Sequence, residues 1–203
     1  MEIRPESHEL NDRLNLIEAM IAEGRRCTES WGWSFVLWGA AYYVAIAWST
    51  WGGSAYAWPT TMIVAALITV VVASKKTRHQ AETTVGRALA AVWIGIGISL
   101  FLFGMSEGLS GKLGIQSFIA AIAVLLGAAN AISSIVLKWG AQFACALAWW
   151  AAAVASPFLS ESQSSMLFLA AIFLCQIVFG IYMMLLEMRE RRQIAGKSGA
   201  AHA

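Results

Sequence analysis

The stretch "SWGWSFVLWGAAYYVAIAWSTWGGSAYAWPTTMIVAALITVVVAS" (residues 30–74) contains no Asp, Glu, Lys or Arg across 45 consecutive positions. A bilayer core of ~30 Å needs about 20 helical residues, so this run is long enough for two crossings. The segment "STWGGSAYAWP" (49–59) divides the run with two glycines and a proline, which are typical turn residues. The run therefore predicts two transmembrane helices, at 31–50 and 57–74.

Four further runs without charge follow, and each is about as long as one membrane-spanning helix. The chain as a whole is 59% hydrophobic and only 13% charged, against roughly 25% charged residues in a typical soluble domain. Because the runs are rich in Ala, Leu and Gly and do not alternate with period two, a membrane β-barrel is disfavoured. The remaining predicted spans are 88–106, 115–136, 139–156 and 165–186.

These runs predict an all-α fold: a polytopic membrane protein whose residues 31–186 form a six-transmembrane-helix bundle. The division between the fourth and fifth helices depends on Lys138, which is followed by Trp139 and Gly140. If Lys138 were buried inside one long helix, the number of spans would fall to five.

The distribution of basic residues predicts the orientation. With the N-terminus in the cytoplasm, thirteen of the fourteen Lys and Arg residues lie inside and only Lys112 lies outside. The positive-inside rule then predicts a multi-pass inner-membrane protein with both termini in the cytoplasm. Tryptophans near the predicted span ends agree with interfacial aromatic belts; Trp149 and Trp150, for example, fall toward the outer ends.

The segment "KKTRHQ" (75–80) lies in the predicted cytoplasmic loop between the second and third spans. Basic residues beside a span orient it and attract anionic lipid, each contributing ~1 kcal/mol near such a surface. We therefore expect Lys75, Lys76, Arg78 and His79 to contact lipid headgroups. The alternative is a specific anionic ligand held by the same four side chains.

Residues 6–26 carry a clear helical pattern outside the predicted spans, within a cytoplasmic segment 1–30. Leu10, Leu14, Ile17 and Ile21 recur with a spacing of four, three and four, which predicts an amphipathic helix. Its apolar face must lie on the bilayer surface, on the ends of the bundle, or on a partner protein or second copy. Acidic residues outnumber basic ones between positions 6 and 23, which weakens adsorption to anionic lipid and favours contact with a protein. We therefore predict that these four apolar residues bind the partner.

Beyond the last span, residues 187–203 form a predicted cytoplasmic tail. The sequence "LLEMRERRQ" (185–193) should carry the last helix out of the membrane. From residue 194 onward the residues are mostly small or polar, which predicts disorder.

The predicted spans contain no Asp, Glu, Lys, Arg or His. Charged groups in the membrane usually mark ion paths and proton relays, so proton-coupled pumps and carriers of charged substrates are disfavoured. A hydrolase would need a metal site, a carboxylate pair or a nucleophile with its base, and none is recognisable. The sequence thus predicts no catalytic residue, metal or cofactor, and a net charge of +2 argues against nucleic-acid binding.

Neutral polar residues do occur within the predicted spans. Asn130 and Gln142 could bond to each other across the fourth and fifth helices, while Gln176 could bond to a neighbouring backbone or to Ser99. A path for a small neutral or apolar solute would be lined by four of the polar residues: Tyr43, Ser99, Asn130 and Gln176.

Small residues at every fourth position predict close helix packing. Three such series are Ala91, Gly95 and Ser99; Ala123, Gly127 and Ala131; and Ala144, Ala148 and Ala152. The cysteines show no disulfide framework: Cys27 is predicted to be cytoplasmic, and Cys145 and Cys175 are predicted to be free, buried thiols within spans.

The sequence thus leads to two functional hypotheses. The first is a non-enzymatic inner-membrane protein that acts by association through its N-terminal helix, with a protein partner or a second copy. The alternative is a channel or carrier for a small neutral or apolar solute.

Overall fold

A computed structural model describes residues 5–54, 56–77, 84–112 and 114–200 of the chain. In these ranges the backbone forms helices and short connections, and no strand is found within them. The helices, in chain order, are α1 (Pro5–Glu29), α2 (Gly32–Gly52), α3 (Ala57–Thr77), α4 (Thr84–Ser110), α5 (Ile115–Leu137), α6 (Gly140–Ala155), α7 (Glu161–Ile172) and α8 (Phe179–Ala200).

Helices α7 and α8 are joined by a π-helical segment, Phe173–Val178, called the π segment below. The flanking residues Ile172 and Phe179 keep right-handed helical backbone angles, so α7, the π segment and α8 are continuous. The prediction of disorder from residue 194 is wrong for the described part, since α8 continues to Ala200. Extending an existing helix costs far less than nucleating a new one.

Five helical segments of the described chain are long and apolar enough to cross a membrane, which is the pattern of a multi-pass membrane protein. The first predicted span, α2, is not among them although it has 21 residues. Its four tryptophans and two tyrosines lower its mean hydropathy, because these rings have a polar group as well as apolar surface. The five segments are Ala57–Lys75, Thr84–Glu107, Ile115–Leu137, Gly140–Phe158 and Glu161–Glu190.

The turn between α5 and α6 lies at Lys138, as predicted. Lys138 is exposed and adopts a left-handed conformation with φ 49°. Its backbone N–H donates to the Ile135 carbonyl at 3.3 Å, and the Trp139 N–H donates to the Ser134 carbonyl at 2.9 Å. These bonds satisfy the last carbonyls of α5, so α5 and α6 are separate helices and the alternative with a buried Lys138 is excluded.

Helix α5 lies at the centre of the bundle, with 56% of its span buried against 6% for α4. Ala123, Gly127 and Ala131 are all buried on it, and a Cβ added to Gly127 would overlap the Trp150 indole ring of α6. The close packing predicted for this series is confirmed. The corresponding series on α4 is exposed, and no described neighbour lies within 4 Å of a Cβ added to Gly95.

Helix α2 packs against α8 through two facing glycines. A Cβ on Gly32 would lie 2.7 Å from the Gly180 carbonyl oxygen, and a Cβ on Gly180 would lie 2.8 Å from the Gly32 carbonyl oxygen. Cβ atoms essentially never lie within 3.0 Å of a heavy atom of a non-neighbouring residue, so the two backbones can approach this closely only because both residues are glycine. Phe35 of α2 adds an edge-to-face contact with Phe179, at 5.6 Å between ring centroids.

Candidate functional site

The C-terminal end of α1 is fixed to the helix bundle. A Cβ on Gly24 would lie 2.6 Å from Val85 Cγ1 and 3.3 Å from Leu137 Cδ2, so α1 contacts the start of α4 and the end of α5. The Thr28 hydroxyl donates to the Gly24 carbonyl at 2.9 Å, and Glu29 is only 4% exposed. The Gly24 contacts and the burial of Glu29 place the end of α1 against the bundle, whereas the Thr28 bond lies within α1 itself.

The middle of α1 is exposed instead, with every residue from 11 to 20 open on the surface. This segment carries four large apolar side chains, called the α1 apolar surface below: Leu14 (52% exposed), Leu16 (62%), Ile17 (51%) and Met20 (44%). Of the residues predicted to bind a partner, Leu14 and Ile17 belong to this surface. Leu10 and Ile21 lie in α1, but their side chains fall outside the described part of the structure.

The α1 apolar surface is accompanied by negative charge. Residues 6–23 contain five acidic residues and one arginine, and Asp12, Glu18 and Glu23 are exposed. Glu23 also borders an open groove of about 310 Å³ between α1 and α4, together with Ala19, Met20 and Val85. The surface that α1 presents is thus apolar with an acidic margin.

The loop predicted to contact lipid headgroups is described only in part. Lys75 is exposed near the end of α3, and the backbone of Lys76 continues that helix. Arg78 and His79 lie outside the described residues. Headgroup contact by these four residues remains a prediction.

The four residues predicted to line a solute path occupy different surroundings. Ser99 is exposed on α4 and donates to its own helix, at the Gly95 carbonyl, at 2.9 Å. Tyr43 is half-buried, and its hydroxyl donates to the Leu169 carbonyl at 2.9 Å, one turn before the π segment. Asn130 and Gln176 are buried in the bundle, so Ser99 lies on a different surface from these two.

Asn130 and Gln142 are wholly buried amides, and some of their polar atoms have no partner in the described part of the chain. Asn130 Nδ2 donates to the Leu126 carbonyl of its own helix at 2.9 Å, while its Oδ1 has no partner among the described residues. Gln142 has no partner there for either amide atom. The hydrogen bond expected between these two side chains is therefore not formed.

Gln176, the third buried amide, lies in the π segment against α2. A Cβ on Gly39 would be 3.0 Å from Gln176 Cβ, so the absence of a side chain at Gly39 makes room for the π segment. The pairing considered between Gln176 and Ser99 does not occur, since the Ser99 hydroxyl turns to its own helix.

Two serines join helices at the end of the bundle remote from α1. The Ser156 hydroxyl donates to the Gln116 carbonyl of α5 at 3.0 Å and is hydrogen-bonded to the Ser164 hydroxyl of α7. Ser156 and Ser164 are both fully buried. A buried hydroxyl without partners would be costly, so these bonds hold three helix ends in a fixed arrangement.

The π segment also brings two cysteines together. Cys175 Sγ donates to the Cys145 carbonyl of α6 at 3.7 Å. Both cysteines are free thiols, and Cys175 is buried as predicted, whereas Cys145 is only half-buried. The sequence gives no sign of their proximity, because the two residues lie 30 positions apart and only the packing of α6 on the π segment joins them. π-Helical insertions occur frequently at functional sites.

No protein-family model matches this chain, and no curated protein or solved structure matches it either. Within the described residues, His, Cys, Asp and Glu form no group of three or more that could hold a metal ion. Function is therefore inferred from the geometry of α1 and of the bundle.

Proposed function

We propose that this chain is an inner-membrane protein that crosses the bilayer six times, with both termini in the cytoplasm, and that it acts by association through α1. The observation that carries the proposal is the α1 apolar surface, which is exposed on a helix whose C-terminal end is fixed to the bundle.

The position of α1 supports a sixth crossing by α2. Gly24 contacts Val85 at the start of α4, which is the end of the bundle where α3 finishes. Helix α3 begins with Ala57 at the opposite end, so α2 has to run the length of the bundle between them. Its 21 residues span about 31 Å at 1.5 Å per residue, which matches the bilayer core.

The orientation follows from the basic residues. Two antiparallel spans, α2 and α3, would place α1 and the end of α3 on one side, together with the end of α5 and the tail of α8. Thirteen of the fourteen basic residues fall on that side, and the positive-inside rule assigns it to the cytoplasm.

The α1 apolar surface is large enough to contribute usefully to binding. Full burial of a Leu, Ile or Met side chain contributes about 1.5–3 kcal/mol, and four such side chains are about half exposed here. In binding a preformed helix, the partner also avoids the entropy cost of ordering it.

The charge of α1 indicates the chemistry of the partner. Five acidic residues against one arginine between positions 6 and 23 repel a negatively charged lipid surface and attract a basic one. We therefore propose that the partner is a cytoplasmic protein with an apolar groove or helix bordered by Lys and Arg, bound in the helix-in-groove manner.

Site-specific photocrosslinking tests this proposal in intact cells. A photoreactive residue at Leu14 or Ile17 should crosslink to one protein, and the same residue at Lys112, on the predicted outer side, should not. The purified partner segment should bind a Pro5–Glu29 peptide, and affinity should fall as salt screens the acidic margin.

A double substitution, Leu14→Ser with Ile17→Ser, should abolish the crosslink from Met20, whereas Asn15→Ser should leave it unchanged, since Asn15 is exposed and polar. Crosslinks from these positions that join lipid, a second copy of the chain, or an acidic protein would refute the proposed partner.

A further inference from the structure

The two thiols of the bundle interior lie against each other across a helix interface. Cys175 Sγ donates to the Cys145 backbone carbonyl at 3.7 Å. Cys145 belongs to α6 and Cys175 to the π segment. A disulfide requires two cysteines that are neighbours in space, and this contact makes Cys145 and Cys175 neighbours although they lie 30 positions apart in the chain.

The two cysteines differ in how far they can be reached. Cys175 is 2% exposed, whereas Cys145 is half-buried. An oxidant dissolved in the bilayer could therefore approach Cys145 from the lipid side, while Cys175 stays enclosed behind it. Of the two cysteines, Cys145 is therefore the one that a bilayer-dissolved oxidant would meet first.

We propose that Cys145 and Cys175 form a reversible disulfide that ties α6 to the π segment, with a lipid-soluble quinone as the oxidant. Quinones are two-electron acceptors that dissolve in the bilayer, where the accessible side of Cys145 lies. The inference is independent of the partner proposed for α1.

The reaction balances with the quinone as the single co-reactant. The two S–H bonds of Cys145 and Cys175 break and one S–S bond forms between the sulfur atoms. The two electrons and two protons released pass to the quinone, which becomes the quinol. A dithiol reductant reverses the reaction by thiol–disulfide exchange.

The test uses the full chain in lipid nanodiscs, in a Cys27→Ser background, so that Cys145 and Cys175 are the remaining cysteines. The protein is incubated with a short-chain ubiquinone analogue, denatured in SDS, and treated with a maleimide carrying polyethylene glycol. Before oxidation, gels should show two additions per chain. After oxidation they should show none, and dithiothreitol should restore both.

A displaced pair is the matched control. Cys145→Ala combined with Leu147→Cys keeps two thiols on the same two elements, but places one on the opposite face of α6, where Leu147 is 52% exposed. This control should retain both additions under the same treatment.

Three results would overturn the proposal. The first is that the native pair still takes two maleimide additions after quinone treatment. The second is that the native and displaced pairs lose maleimide additions equally. The third is that the loss of additions is accompanied by a disulfide-linked dimer on a non-reducing gel.

Discussion

Replacing Gly180 by alanine is predicted to force α2 and α8 apart. The added Cβ would lie 2.8 Å from the Gly32 carbonyl oxygen, and 2.8 Å and 3.0 Å from Val36 Cγ2 and Phe35 Cβ. Because the first of these neighbours is backbone, no change of rotamer removes the clash. Relief requires the helices to separate by roughly 0.5 Å, and overpacking of this kind costs about 1–3 kcal/mol.

Gly95→Ala provides the matched control for this prediction. Gly95 is also in the interior of a helix, α4, but among the described residues no neighbour lies within 4 Å of its added Cβ. Both variants gain the same helix propensity, about 1 kcal/mol. The difference in their free energies of unfolding therefore isolates the clash, and Gly180→Ala should be the less stable by about 1–3 kcal/mol.

The assay is tryptophan fluorescence of the purified protein during an SDS titration. A double-mutant cycle with Gly32→Ala adds a second check, because the second methyl should cost less once the first has separated the backbones. Two results would show that the α2 and α8 backbones are not as close as described. One is equal stability of Gly180→Ala and Gly95→Ala, and the other is full additivity of Gly180→Ala and Gly32→Ala.

Two further substitutions test buried polar groups by the same titration. Gln142→Met should leave the free energy of unfolding unchanged or raise it by about 1–3 kcal/mol, because it removes a buried amide that has no partner among the described residues and keeps the shape of the side chain. A clear loss of stability would indicate that the amide has a partner. Ser156→Ala should cost about 1–3 kcal/mol of stability, because it leaves the buried Ser164 hydroxyl without its partner. The control Ser165→Ala loses only a bond within its own helix and should cost less than about 1 kcal/mol. Equal costs would contradict the role of Ser156 in joining helices.

The sequence predicts the helices of this chain well, because uncharged runs of span length have few alternatives to a transmembrane helix. Within the described ranges, five of the six predicted spans correspond to helices long and apolar enough to cross a membrane. The turn at Lys138 could be predicted as well, since a single charge between two apolar runs favours a position at the helix ends.

Helix packing was less predictable. The spacing of small residues predicts close contact equally for α4 and α5, yet Gly127 is buried against Trp150 while Gly95 is open. Trp149, predicted to lie toward an outer interface, is instead fully buried in the core. Periodicity identifies which residues share a face of a helix, but which face meets another helix depends on the whole bundle.

The candidate sites illustrate the same limit. The apolar pattern of α1 is visible in the sequence, but its anchoring through Gly24 depends on the tertiary position of Val85 and Leu137. The contact between Cys145 and Cys175 depends on the packing of α6 against the π segment, and no local signal predicts that segment.

Labelling of a single cysteine at Ser54, in a chain whose native cysteines are replaced by serine, tests the membrane arrangement most directly. Ser54 lies between α2 and α3, so a sixth crossing by α2 places it outside the cytoplasm. A membrane-impermeant maleimide should then label Ser54→Cys in intact spheroplasts, while Asn15→Cys on α1 should react only after permeabilisation. Labelling of both positions under the same condition would contradict a crossing by α2.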